Sequence, residues 1–359
     1  MSDTLALVES PVQLLNVLEW AHIRPPAPRQ GPGGRGLTLV VLPPRDPTSR
    51  GQLRRMAEFA MDEGHTVRWS EARAGRVSLP RTAAELTPAL RAAQRIVLGD
   101  PFSRLVQALL PLSRAREITV VDDGTATMEF TELLSRGDRL VRWHRSGRRT
   151  SPADLAFGVF ASAARRRLTP GHGREVELFS AMPATPPPGM ALRANRFGWT
   201  RARFGPPTIS AGTDIVGTSL VETGVVDPER YLTAVGALAR AHGATRYFAH
   251  RRESPDKLRA LAVATGLEIV RPDLPLELVA RRGPVGHTVL SFPSTVVHTL
   301  PLALEGTGVR IIVCDVDPAW LTDSASPRAQ GFLSAITGTA RELHGLKSVA
   351  SVVASVPSV

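Results

Sequence analysis

The sequence predicts an α/β protein built as two Rossmann-like domains facing each other across a cleft. Three observations predict it. Short apolar runs alternate with amphipathic stretches along most of the 359 residues, as parallel strands alternate with the helices that cover them. The alternation falls into two blocks separated by Pro183-Ala184-Thr185-Pro186-Pro187-Pro188-Gly189, a run suited to a linker. Polar turns follow several of the apolar runs, and Ser10-Pro11 and Ser254-Pro255 each supply an N-cap with proline in the first turn.

Taken in order, the first block reads as a strand at 4–8, a helix at 12–20, a loop at 24–36 and a strand at 37–42. A helix at 52–63 ends at Gly64, and a strand at 66–69 follows. Then come a helix at 82–94, a strand at 95–98, a helix at 103–110 and a strand at 117–121 that runs into Asp122-Asp123-Gly124. The basic stretches 139–149 and 164–168 read as solvated faces, or as contacts for an acceptor or a membrane. Residues 193–207 read as irregular and basic. The second block reads as strands at 213–217, 245–248, 267–270, 287–290 and 309–313. Its helices are expected at 228–242, 255–265, 275–280, 296–304 and 321–343. Domain limits follow at 1–190 and 205–345. Residues 346–359 form a small, apolar tail without an evident partner.

Composition bounds the chemistry. No run of eighteen apolar residues is present, so no transmembrane helix is expected. The first twenty residues lack the basic and cleavage regions of a signal peptide. One cysteine, Cys314, excludes an internal disulfide and a multi-thiolate metal centre. A cytoplasmic protein is expected. The 44 Lys+Arg against 33 Asp+Glu give a net charge of +11. That excess suits anionic ligands, with peripheral contact to an anionic membrane as one use, and it equally suits a solvated surface. Two tyrosines and 5% aromatic residues supply few platforms for base stacking, so nucleic acid is not expected as partner.

The candidate site residues cluster on strand-to-helix turns. Arg246-Tyr247-Phe248-Ala249-His250-Arg251-Arg252 ends a strand just before the Ser254-Pro255 helix start. Positive charge and a helix N-terminus on one turn suit a phosphate, with His250 facing it. The bland alternative is a histidine satisfied by backbone. Asp122-Asp123-Gly124 closes another strand, and either carboxylate, held in a water-poor site, could act as general base. An Asx turn with helix capping is the alternative. Ser291-Phe292-Pro293-Ser294-Thr295 places hydroxyls and N–H groups at a helix N-terminus, for an anion or for ordinary capping. Glu277 stands on a further turn, either to accept two ribose hydroxyls or as a surface glutamate. Asp315-Val316-Asp317 spells a metal-binding pattern but reads as a turn.

These segments resemble the motifs of the bacterial lipooligosaccharide sialyltransferases and polysialyltransferases. Val120-Val121-Asp122-Asp123-Gly124-Thr125-Ala126 resembles their acidic-acidic-glycine motif. Tyr247-Phe248-Ala249-His250-Arg251-Arg252-Glu253 resembles their histidine motif, and Ser294-Thr295 their paired hydroxyls. Val216 to Glu222 and Ser10-Pro11-Val12-Gln13 also look like segments of these families. The resemblance runs from Leu5 to about Val313 in the families' order. It implies a GT-B fold, a CMP-activated sialic acid donor, a glycan acceptor, and inversion at the anomeric carbon without a metal or other cofactor. By position Asp122 resembles the general base, with Asp123 the alternative. His250 resembles the residue serving the CMP phosphate or acting as acid. Ser294 and Thr295 resemble the phosphate-binding hydroxyls and Glu277 the ribose carboxylate; Arg251 and Ser291 stand beside them as donor contacts. Two departures are Arg251, where proline often follows the histidine, and Ser294-Thr295 in place of Ser-Ser. The rival readings are a GT-B enzyme for another nucleotide sugar and a non-catalytic polyanion-binding protein.

Overall fold

The computed structural model describes residues 3–24, 37–75, 78–122, 124, 126–142, 152–323, 325 and 327–349. Asp123, Thr125, most of the expected loop at 24–36, most of the basic stretch 139–149 and the tail from 350 lie outside the described residues. The chain divides into two units, Met1–Trp199 and Thr200–Val359.

The first unit carries a sheet of seven strands: β1 (Thr4–Val8), β2 (Leu37–Val41), β3 (Thr66–Trp69), β4 (Arg95–Leu98), β5 (Glu117–Val121), β6 (Glu175–Ser180) and β7 (Ala191–Ala194). Their order is β3-β2-β1-β4-β5-β6-β7, and every pair is parallel. The second unit carries β8 (Ile209–Val216), β9 (Ala244–Phe248), β10 (Glu268–Val270), β11 (Val285–Ser291), β12 (Arg310–Cys314) and β13 (Lys347–Val349). Their order is β10-β9-β8-β11-β12-β13, again all parallel. Counted from each unit's first strand, both sheets run 3-2-1-4-5-6, with a seventh strand added at the end of the first. That is the Rossmann order, with its switch point between the first and fourth strands. In the first sheet the switch lies between β1 and β4, in the second between β8 and β11.

Local chemistry explains many of the element boundaries. β1 and β2 are buried at all five positions each, as strands covered by helices on both faces must be. Helix starts repeat one device: a side-chain cap followed by proline. Ser10, Asp46, Asp227 and Ser254 each accept backbone N–H groups from the first turn, with Pro11, Pro47, Pro228 and Pro255 next in the chain. Gly243 and Gly266 close the helices Pro228–His242 and Pro255–Thr265 in the left-handed conformation, at φ 58° and 70°.

Several expectations need correction. The Pro-rich run at 183–189 is the connection between β6 and β7, inside the first sheet. The division between units falls instead within the helix Gly198–Phe204. Residues 193–207 are not irregular: they hold the end of β7 and that helix. The first unit fixes the segment from 195 to 199. Asn195 donates to Asn16 Oδ1 at 2.9 Å, the Trp199 N–H to Glu19 at 2.9 Å, and the Trp199 indole to Glu63 at 3.0 Å. The arginines at 165–167 end a helix, Pro152–Leu168. Lys347–Val349, expected to open an unpartnered tail, is an edge strand beside β12. Among the described residues no helix is long and apolar enough to cross a membrane.

One buried carboxylate ties the middle of the second sheet together. Asp214 on β8 is 1% exposed. It accepts from Arg246 of β9 through Nε at 2.9 Å and Nη2 at 2.8 Å, and from the Gly286 N–H of β11 at 2.6 Å. Gly286 is required there, because a Cβ would lie 2.7 Å from the Gly212 carbonyl. Asp214→Ala leaves the half-buried Arg246 guanidinium and the Gly286 N–H without their acceptor and should lower stability by about 2–3 kcal/mol. Gly286→Ala should cost about 1–3 kcal/mol by overpacking. Urea denaturation checks both, and an unshifted midpoint for Asp214→Ala would refute the pinning role.

Candidate functional site

In the second unit the loop after β9 is held by a buried network. Glu253 is 3% exposed. Its Oε1 accepts from the Tyr247 hydroxyl at 2.6 Å and pairs with Lys257 Nζ at 2.7 Å, and its Oε2 accepts from the His250 N–H at 2.6 Å. The Tyr247 and Tyr231 hydroxyls meet at 2.7 Å. Lys257 also donates to the Thr218 carbonyl at 2.9 Å and reaches Glu222 at 3.4 Å, while Glu222 accepts from the Ser254 N–H at 3.1 Å. The loops after β8 and β9 are thus bound to one helix start. Gly217 is part of the fit: a Cβ there would stand 2.5 Å from the Tyr247 hydroxyl.

His250 presents a defined ring. Its Nδ1 accepts from the Arg252 N–H at 3.2 Å, which leaves the proton of the neutral imidazole on Nε2. Burial, and then the charges of Arg251, Arg252 and Lys257, lowers its pKa to about 4. The ring is therefore neutral at pH 7 and donates through Nε2. Arg251 and Arg252 themselves are exposed.

On the other side of the switch point, β11 ends at Ser291, which is 1% exposed and donates its hydroxyl to the Phe292 carbonyl at 3.1 Å. Ser294 and Thr295 follow, half-buried, ahead of the helix Val296–Ala303. Thr295 makes no side-chain cap, and neither hydroxyl is spent on another described residue. Ordinary capping therefore does not account for them. Glu277, on the helix Leu276–Arg282, is 5% exposed and not a surface residue. It accepts from Thr299, one turn beyond Thr295, at 2.5 Å, and burial raises its pKa. Asp315 pairs with Arg341 and Asp317 caps the Ala319 N–H at 2.8 Å, so both aspartates are spent on turns.

In the first unit Asp122 follows β5 and is 2% exposed. Its Oδ2 accepts from the Ser180 hydroxyl and the Ala181 N–H, both at 2.9 Å, and its Oδ1 accepts from Thr127. Its carbonyl accepts from Asn16 at 2.9 Å. This carboxylate joins β5 to β6 and to the helix Ala126–Arg136. A second carboxylate stands at the switch point. Glu9, just after β1, pairs with Arg73 and accepts from the Ser103 hydroxyl at 2.9 Å. Burial raises its pKa against the opposing charge of Arg73, and Asp100, just after β4, adds to the rise. Asp100 itself pairs with Arg142 at 3.1 Å.

The structure places Ser291, Ser294 and Thr295 on one loop, sets Glu277 against the helix that follows, and puts His250 and Arg251 on the same edge of the same sheet, after β9. Asp122 belongs to the first sheet. Sequence reasoning missed Glu9 and Asp100, although Glu9-Ser10-Pro11 ends a buried strand in the way His250 does. It also missed the part of Glu253, whose partners are set by the fold.

No family model and no curated protein matches the sequence. Solved structures are similar. The α/β-galactoside α-2,3-sialyltransferase of Photobacterium phosphoreum gives a TM-score of 0.50 at 9% identity, over 96% of this chain and 98% of that one. The UDP-GlcNAc 2-epimerase of Neisseria meningitidis gives 0.48 at 10% identity, over 97% and 87%. The E. coli heptosyltransferase WaaC with ADP gives 0.42 at 14% identity, over 95% and 99%. With two parallel sheets in Rossmann order and the first of these likenesses, the chain has the GT-B fold.

The site implies a pH dependence. His250 and the buried His298 both have pKa values of about 4, lowered first by burial. The unfolded chain takes up these protons below pH 6.5 and the folded protein does not, so stability falls as pH drops from 6.5 toward 4. Each histidine should contribute on the order of 1–3 kcal/mol to that loss. Melting temperatures at pH 7 and pH 5 test it. His250→Asn and His298→Asn should each flatten the decline, and an unchanged slope in both would remove the assignment.

Proposed function

We propose that this chain is a glycosyltransferase that transfers sialic acid or a related nonulosonate from a CMP-sugar to a glycan hydroxyl, with inversion. The observation that carries the reading is the pair of uncommitted hydroxyls, Ser294 and Thr295, at a helix N-terminus beside the switch point of the second sheet. Partial positive charge on the first N–H groups and two free donors make a phosphate site. The resemblance of the Asp122, His250 and Ser294-Thr295 segments to sialyltransferase motifs narrows the donor to a CMP-sugar.

In this reading the acceptor hydroxyl oxygen attacks the anomeric carbon as the bond from that carbon to the phosphate oxygen breaks. Negative charge gathers on the departing CMP phosphate. Ser294, Thr295 and the Nε2–H of His250 donate hydrogen bonds to it, which stabilises the transition state more than the ground state. The exposed Arg251 adds positive charge nearby, Ser291 supports the loop, and Glu277 takes the ribose. The proton of the acceptor passes to a carboxylate. Asp122 is the assigned base, with Asp123 as its neighbour in the motif. A second reading of the base rests on one observation. Both carboxylate oxygens of Asp122 are committed to protein donors, Ser180, the Ala181 N–H and Thr127. Burial raises the pKa of Glu9, as suits a general base.

Stabilisation by ligands tests the donor. CMP should raise the melting temperature, whereas UDP, GDP and ADP should not; a response to another nucleotide would replace the CMP assignment. Transfer from CMP-sialic acid should fall by more than about a hundredfold in His250→Ala and in Asp122→Ala. If Asp122→Ala retains turnover while folded and Glu9→Gln loses it, the base is Glu9. Near-normal turnover in folded His250→Ala and Asp122→Ala alike would overturn the mechanism.

A further inference from the structure

A cluster of arginines lies in the first unit, away from the carboxyl edge of its sheet. The helix Pro152–Leu168 returns the chain from β5 toward the start of the parallel strand β6, so its last turn reaches the amino edge. There Pro111, Ala163, Arg165, Arg166, Arg167, Thr169 and Arg174 line a cavity of about 590 Å³. Arg167 donates to the carbonyl of Ala115, shortly before β5, and Arg174 immediately precedes β6. Asp122 stands at the opposite end of β5, a strand of five residues.

The charge in this cavity is unbalanced. None of the four arginines is ion-paired to a carboxylate among the described residues. Arg165 is spent on the Gly137 carbonyl, and Arg174 donates to the Thr169 carbonyl at 3.1 and 2.8 Å. Arg166 is exposed and makes no contact with a described residue that would neutralise it. The Nε of Arg167 is buried without a hydrogen-bond partner. Four guanidinium groups around an open cavity suit a compact, doubly charged oxyanion, which they meet in bidentate fashion. No aromatic ring is among the described residues that line the cavity.

We propose that this cavity binds a phosphate group, at a site separate from the donor phosphate of the proposed reaction. Two sources share that chemistry: a phosphomonoester lipid headgroup and soluble phosphate. The same helix exposes Val159 and Phe160, at 72% and 50%. An apolar face running into terminal arginines is what a bilayer surface accepts.

Calorimetry on the full chain with inorganic phosphate tests the site, with acetate at matched ionic strength as the control. Phosphate should bind where acetate does not. The variant Arg166→Gln/Arg174→Gln, which leaves Arg167 on its carbonyl, should lose at least about tenfold in affinity; circular dichroism confirms its fold. Ser294→Ala/Thr295→Ala should leave this binding intact, which separates it from the donor site. Sedimentation with phosphatidylcholine vesicles, with and without phosphatidic acid, identifies the source. Retention by phosphatidic acid that weakens in Phe160→Ser assigns a lipid, and phosphate binding without retention assigns a soluble ligand. The proposal is overturned if phosphate and vesicles both fail to bind. It is also overturned if acetate binds equally, if the arginine variant binds as wild type, or if phosphate binding disappears only in Ser294→Ala/Thr295→Ala.

Discussion

Strands such as β1 and β2 are buried on both faces, and this governs where polar chemistry can be placed. A lone polar group inside such a layer costs several kcal/mol. Asp214 lies within β8 only because Arg246 and the Gly286 N–H meet it. Elsewhere the polar groups collect where the strands stop. Two of those stopping places are organised by a buried carboxylate: Asp122 after β5, and Glu253 on the turn after β9. Each accepts from several elements at once, so the loops it joins are positioned with the precision of the core. The candidate residues inherit that order. His250 is set by a hydrogen bond from its own N–H to Glu253 and by another from Arg252 to its ring.

The parts legible in sequence were those written locally. Buried strands read as apolar runs, and the cap-then-proline starts at Ser10 and Ser254 marked two helices. The parts that were not legible depend on distant partners. β6 carries glutamates that do not read as a buried strand. Glu177 is accommodated because Trp20 and Arg24, at the end of the first helix, and Arg193 of β7 reach it from two other segments. β7 is an edge strand with all four residues exposed, so no apolar pattern exists to detect. The helix Pro152–Leu168 mixes small residues with a run of arginines and reads as a charged surface. The prolines at 183–189 look like a linker because they exclude a helix, and a helix-free connection from β6 to β7 excludes it equally well.

The candidate site divides along the same line. His250, Ser294 and Thr295 could be read from strand-to-helix turns, because a turn of that kind announces itself in a dozen residues. The state of each group could not. That His250 is neutral, that Thr295 leaves its hydroxyl uncapped, and that Glu277 is buried against Thr299 are all consequences of packing. Glu9 stayed hidden for a related reason. A glutamate at a strand end is ordinary, and only the enclosure that raises its pKa singles it out.

The neutral ring of His250 has a consequence for ionic strength. A hydrogen bond from an uncharged, half-buried donor is scarcely affected by salt. The exposed Arg251 and Arg252 act through solvent, where the Debye length shortens from about 10 Å at 0.1 M to about 3 Å at 1 M. In the proposed reaction, nucleotide affinity at this turn would separate into a part that salt removes and a part that survives it. The surviving part would belong to the imidazole, the hydroxyls and the helix start, and the salt-sensitive part to the two arginines.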